Sequence, residues 1–190
     1  MRIILITISL VLIVLLSCLL HELAHYFAMR KFNIDVEEIS LGFGPKIFQK
    51  KIKNIYFSIR LGFLFGAYVK PANFFNIVKS NKHTILEKIC IILSGIMVNL
   101  VLAVIFKILY EYVIFIEGYE SLKSLYFDFI SLINFTMTYI NLLPIFGISD
   151  GSKMVDVICD RYFSKKVGKT LKKICNITGG FIYIYYIIIR

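Results

Sequence analysis

The sequence predicts a mainly α-helical, polytopic membrane protein with about four transmembrane helices and a membrane-associated β-hairpin after the first. Three observations carry this. The chain is 58% hydrophobic with a mean hydropathy of +0.78, beyond the range of ordinary soluble domains. Its longest apolar runs approach or exceed the ~20 residues that cross a bilayer, and basic segments separate them. Residues 36–70, between the first two runs, are instead rich in β-branched and aromatic side chains punctuated by glycine and proline. At 190 residues, one domain covering 1–190 is expected.

The first span is read as 3–29. Residues 3–20 are apolar except for Thr7, Ser9 and Ser17. Arg2 and this run have the pattern of a signal peptide, but no small-x-small site follows and the apolar character continues to Met29. Strands are expected at Val36–Phe43 and Lys46–Ile52. Ile55–Arg60 and Leu64–Lys70 alternate around Gly62, which predicts a hairpin between them, and Leu61–Val69 is apolar enough to dip into the membrane under a protein cover. Pro71–Lys82 reads as a short interfacial helix with Phe74, Phe75 and Val78 on one side. The second and third spans are 85–110, carrying Ser94, Gly95 and Asn99, and 122–143, whose later half holds Asn134, Thr136, Thr138 and Asn141 before Pro144 ends it. An amphipathic helix is expected from Asp150 to about Phe163. A last, short span at 171–189 contains Gly179-Gly180 and is expected to be tilted, broken or partly inserted.

The net charge of +10 belongs to topology and anionic headgroups, with no nucleic-acid partner. Residues 30–83 carry ten Lys and Arg and residues 145–173 carry seven, whereas the connection 111–121 has three glutamates and no basic residue. The positive-inside rule then puts both basic segments in the cytoplasm and both termini outside. Cys18, Cys90, Cys159 and Cys175 are scattered, without a C-x-x-C pair, and read as small hydrophobes.

The chemistry concentrates at Leu20-His21-Glu22-Leu23-Ala24-His25-Tyr26, an H-E-x-x-H pattern inside the first span. Residues four apart share a helix face, so His21 and His25 can meet one cation. Glu22 beside them is placed to take a proton from the attacking water. Counting back from Arg30 at about 1.5 Å per residue puts His25 about 7 Å and His21 about 13 Å into the membrane. Ionisable groups at such depth are expensive and point to function. A catalytic zinc takes three protein ligands and keeps one open position. The third ligand is sought among Asp150, Glu87, Asp156, Asp160, Asp128 and His83. Asp150 leads, because Gly147 and Gly151 let the chain turn back after the Pro144 break. Spacing alone does not separate that role from a plain helix N-cap.

His21-Glu22-Leu23-Ala24-His25 in a first span, with Asn141-Leu142-Leu143-Pro144 and then Asp150-Gly151 at the end of a later one, resembles the site-2 protease family of intramembrane zinc metalloproteases. Leu64-Phe65-Gly66-Ala67-Tyr68-Val69-Lys70 is similar to the family's membrane-associated strand, and Gly95-Ile96-Met97-Val98-Asn99 to its G-x-x-x-N motif. The resemblance covers roughly residues 15–155. It implies Zn2+ held by His21, His25 and Asp150, with Glu22 as the base. The chain departs from the family in two places: Asn141 to Asp150 is one residue longer than usual, and Ser149 stands where an apolar residue is common.

Further site expectations follow. Asn99 or Asn141 could donate an amide N–H to the tetrahedral intermediate, or simply bond helix to helix. Leu64, Gly66, Ala67, Tyr68 and Val69 could hold a substrate extended by strand addition. Ser94, Asn134, Thr138 and Asn141 could line a water path, against the alternative of ordinary interhelical contacts. The expected partners are a transmembrane protein or peptide substrate, membrane lipid and a regulatory membrane partner. Two other classes compete: a catalytically inactive scaffold binding partner helices, and a zinc transporter, which would want more ionisable groups along its spans than Asp128.

Overall fold

Helix α1 (Arg2–Lys31) runs unbroken through the first apolar stretch and its H-E-x-x-H pattern. It stops where Asn33 adopts φ 58° and the N–H groups of Asn33 and Ile34 turn back to the carbonyls of Arg30 and Met29. A left-handed residue after the last turn is a common way to satisfy these carbonyls. The computed structural model describes residues 2–63, 66–72, 76–117, 121–145 and 147–189. The described elements after α1 are strands β1 (Val36–Leu41), β2 (Lys46–Ile52), β3 (Ile55–Arg60) and β4 (Ala67–Pro71), then helices α2 (Ile85–Glu117), α3 (Leu122–Leu142), α4 (Asp150–Tyr162) and α5 (Lys165–Ile189).

The strands form one sheet in the order β2-β3-β1-β4. β2 and β3 make an antiparallel hairpin through a turn in which Lys53 has φ 54°. β1 lies parallel to β3 and antiparallel to β4, with Ile39 opposite Val69. The expected hairpin between 55–60 and 64–70 is therefore corrected: β3 pairs back to β2, and β4 crosses to β1. Alternation of apolar residues defines a strand and its buried face, but not its partner. The partner is chosen by the core. Val36 and Ile39 of β1 are buried with Met29 from the end of α1, Ile34 from the turn after it and Ile91 of α2. Each such side chain contributes about 1.5–3 kcal/mol on burial, so the cluster clamps the motif-bearing end of α1 to both the sheet and α2. β4 is left as an edge strand.

Among the described residues two helices, α1 and α2, are long and apolar enough to cross a membrane. α2 extends past the expected 110 to Glu117 and is not interrupted at Ser94 or Gly95. α3 mixes its apolar residues with Lys123, Asp128 and a polar later half, and it packs on α2 and α1. α5 begins with a lysine-rich stretch, so its apolar part from Ile174 is only about 24 Å long at 1.5 Å per residue. The Gly179-Gly180 pair does not break α5. Gly179 packs against Pro144: a Cβ there would lie 2.3 Å from the Pro144 carbonyl oxygen. Of the interfacial helix expected over 71–82, Phe74 and Phe75 lie outside the described residues. The turn at Ile77–Lys79 is held by Asn76, whose Oδ1 accepts the N–H groups of Val78 and Lys79.

Candidate metal centre

His21 and His25 project from one face of α1 and are both buried. Their Nε2 atoms are 3.1 Å apart. Oδ2 of Asp150 lies 3.1 Å from the first and 2.9 Å from the second. Donors set about 2.0–2.1 Å from a tetrahedral zinc stand roughly 3.3 Å from one another, so this triangle is only slightly tighter than a liganding one. The space it needs comes from Gly95 on α2: a Cβ there would sit 2.5 and 2.6 Å from Nε2 of His25 and of His21. Bare backbone thus faces the converging ligand atoms. Two imidazoles and a carboxylate, with room beside them, fit a catalytic zinc or a similar borderline cation.

Asp150 reaches the imidazoles because the chain bends sharply after α3. Ser149, not Asp150, caps α4: its hydroxyl accepts the Ser152 N–H. The same hydroxyl accepts the Ile145 N–H at 3.0 Å and donates to the Leu143 carbonyl. Gly147 turns at φ 78°, and its N–H donates to Oδ1 of Asn176 on α5 at 2.7 Å. Ser152 Oγ donates to that oxygen as well, at 2.6 Å. The bend therefore takes up the additional residue between Asn141 and Asp150, and Ser149 has a defined place in it. Burial pushes the Asp150 carboxyl up, but hydrogen bonds from His21 and His25, with the charges of His25 and Lys153, outweigh it and hold the group far below the usual carboxylate range. Lys153 Nζ lies 2.8 Å from Oδ1, the oxygen turned away from the imidazoles.

His21, Glu22, His25 and Asp150 border one cavity of about 520 Å³. Lys153 and Asn141 line it too, as do Gly66, Ala67, Tyr68 and Val69, so the edge strand runs beside the candidate centre. Leu64 lies outside the described residues. Asn141 donates its amide to the Met137 carbonyl of its own helix. Of the two roles expected for Asn99, its contact is the bond from helix to helix, α2 to α1. The side chain is fully buried, and its amide lies 3.0 Å from Nδ1 of His21, on the ring edge away from the ligand triangle. His25 Nδ1 donates to the Ile91 carbonyl at 2.8 Å, with Ser94 Oγ 3.2 Å away. Asn134 bonds Ser17 across the α1–α3 interface, an interhelical contact of the ordinary kind. His83 pairs with Glu87 at 3.5 Å, away from the centre. The cap expected as Asp150's alternative role falls to Ser149 instead, and nothing in the sequence pointed to Ser152 or Asn176.

The family model for peptidase family M50 matches residues 9–126, more than half of the chain. The chain belongs to peptidase family M50. The matched stretch contains the H-E-x-x-H pattern, the sheet and α2, and it ends before Asp150, whose place beside the histidines rests on geometry. A protein of Thermotoga maritima named "Putative zinc metalloprotease" is 42% identical over 52 residues, covering 27% of this chain and 10% of its own length. Similarly named proteins of Clostridium perfringens and Clostridium acetobutylicum are 32% and 31% identical over 91 and 97 residues, each covering 46% of this chain and 27% and 26% of their own lengths. The matches thus reach about a quarter or less of these relatives.

Proposed function

We propose that this M50 chain is a zinc endopeptidase that cuts peptide bonds within or next to transmembrane segments. The observation that carries the reading is the triangle of His21 Nε2, His25 Nε2 and Asp150 Oδ2 at 2.9–3.1 Å with Glu22 on the same cavity. Family membership and the relatives' names support it.

His21, His25 and Asp150 would hold the zinc, which lowers the pKa of water toward ~7 and polarises a carbonyl. Glu22 takes the proton of the attacking water and delivers it to the leaving amine. A helical substrate hides its peptide bonds in its own hydrogen bonds and must be drawn out before attack. The open edge of β4 offers backbone groups for that beside the cavity. Asn141 remains as a side-chain donor on the cavity wall.

In this reading residues 1–190 act as one membrane-embedded unit. α3 and α5 are the completing spans: α3 turns its polar Ser131 and Asn134 inward against α2 and α1, and α5 leaves Phe181, Tyr185 and Ile188 exposed for lipid. Both basic segments face the cytoplasm, the termini lie outside, and the centre sits near the cytoplasmic face. The substrates are membrane-bound regulatory proteins or signal and peptide precursors, with lipid around the chain and a membrane partner gating access. The lengthened Asn141–Asp150 spacing would favour an inactive scaffold; the bend held by Ser149 and Asn176 supports the active reading instead.

The test uses the full chain in detergent, with bound zinc measured and cleavage of a tagged membrane-helix substrate followed. Glu22→Gln is expected to keep the metal and stop cleavage, and His21→Ala to lose both. Wild-type chain that binds no zinc, or Glu22→Gln that cleaves at the normal rate, would overturn the reading.

A further inference from the structure

The edge of His21 that faces away from the cavity has a partner whose orientation matters for the metal. Asn99, fully buried on α2, holds Nδ2 3.0 Å from His21 Nδ1, and its Oδ1 has no hydrogen-bond partner among the described residues. A neutral imidazole carries one ring proton. If Nδ2 donates to Nδ1, that proton sits on Nε2, and Nε2 has no lone pair for a cation. Half a turn of the amide brings Oδ1 to the same place. Oδ1 then accepts the Nδ1 proton, and the Nε2 lone pair faces His25 and Asp150. His25 has this arrangement from a fixed acceptor, since its Nδ1 donates to the Ile91 carbonyl at 2.8 Å.

Turning Asn99 sacrifices no hydrogen bond at Oδ1, because none is in place there. Among the described residues either orientation leaves one end of the amide unpaired, so the imidazole decides. We infer that Asn99 is the positioning residue that sets the tautomer of His21, its Oδ1 taking the Nδ1 proton whenever Nε2 binds the cation. The inference rests on the zinc reading above and assigns Asn99 to the metal's outer support rather than to the oxyanion. Partners of this kind typically change metal affinity about 10–100-fold when removed.

The test compares zinc affinity of wild type, Asn99→Asp and Asn99→Leu in detergent, using a competing chelator. An aspartate can only accept, so it is expected to keep affinity within about 10-fold of wild type or to tighten it. Leucine is expected to weaken affinity about 10–100-fold. Nitrogen-15 histidine spectra of the zinc-loaded wild type, which need no variant, are expected to show a protonated Nδ1 on His21. Aspartate falling as far as leucine, leucine binding like wild type, or an unprotonated His21 Nδ1 would each overturn the inference while leaving the zinc reading intact. A wild-type chain with no zinc affinity would overturn both.

Discussion

Asn176 Oδ1 accepts the N–H of Gly147 at 2.7 Å across 29 residues of chain, tying the last helix to the bend that delivers Asp150. The same oxygen accepts from Ser152, so one side chain satisfies two donors in that bend. Asn176→Leu would remove this acceptor from both; Gly147 is exposed and keeps Ser152 Oγ at 3.2 Å, so the cost of about 1–3 kcal/mol falls on the buried Ser152 hydroxyl. The expected outcome is a lower unfolding temperature together with reduced zinc content, read by thermal denaturation and metal analysis. Unchanged zinc content at unchanged stability would show that α5 does not support the centre.

Gly95→Ala tests the space beside the ligand atoms. Its methyl would sit 2.5–2.6 Å from two Nε2 atoms, closer than carbon and nitrogen can approach. One or both imidazoles must swing away, so zinc content is expected to fall well below one per chain while helicity by circular dichroism is retained. Full occupancy in this variant would place the cation elsewhere.

Proline scanning of β4 tests the strand edge. Successive N–H groups of a strand point to opposite sides, so of Tyr68 and Val69 one N–H faces β1 and the other faces the open edge. One substitution, Tyr68→Pro or Val69→Pro, is expected to disturb the sheet. The other should leave the fold and zinc content intact and slow cleavage of a helical substrate at least ~10-fold, as lost strand addition would. Normal cleavage in both variants would remove β4 from the substrate path.

Glu38 makes a pH prediction for the sheet. Burial pushes its carboxyl up, but Arg60 and Lys46 outweigh this and hold it below the ordinary value. Arg60 Nη2 is 2.9 Å away. A carboxyl depressed in the folded state adds stability that is complete above its unfolded pKa of ~4.3 and is lost as pH falls through the lower folded value. Glu38→Gln is expected to cost about 1–3 kcal/mol at neutral pH and to flatten the acid side of the stability profile, as followed by thermal melts from neutral to acid pH. Identical profiles for the two proteins would mean that the pair contributes nothing.

Much of the molecule was legible in residue order. The apolar runs marked the helices, because a membrane helix needs length and hydropathy alone. Two histidines four apart declared a shared face, because helical periodicity is local. Strand partners were not legible: the alternation in β3 and β4 suits either neighbour, and burial of β1 between them made the choice. The Gly179-Gly180 pair suggested a break, but the partner it packs against, here the Pro144 backbone in the bend after α3, decides whether a small residue bends a chain or lets it pack closely.

The residues alone determined which groups are available to the site: His21, Glu22 and His25 stand on one turn of helix whatever the rest of the chain does. Only the tertiary structure decided that Asp150 joins them and that Asn99 stands behind one of them. Those contacts span 125–129 residues for Asp150 and 78 for Asn99. Contacts at such separations arise from how helices and bends pack, which no local spacing encodes.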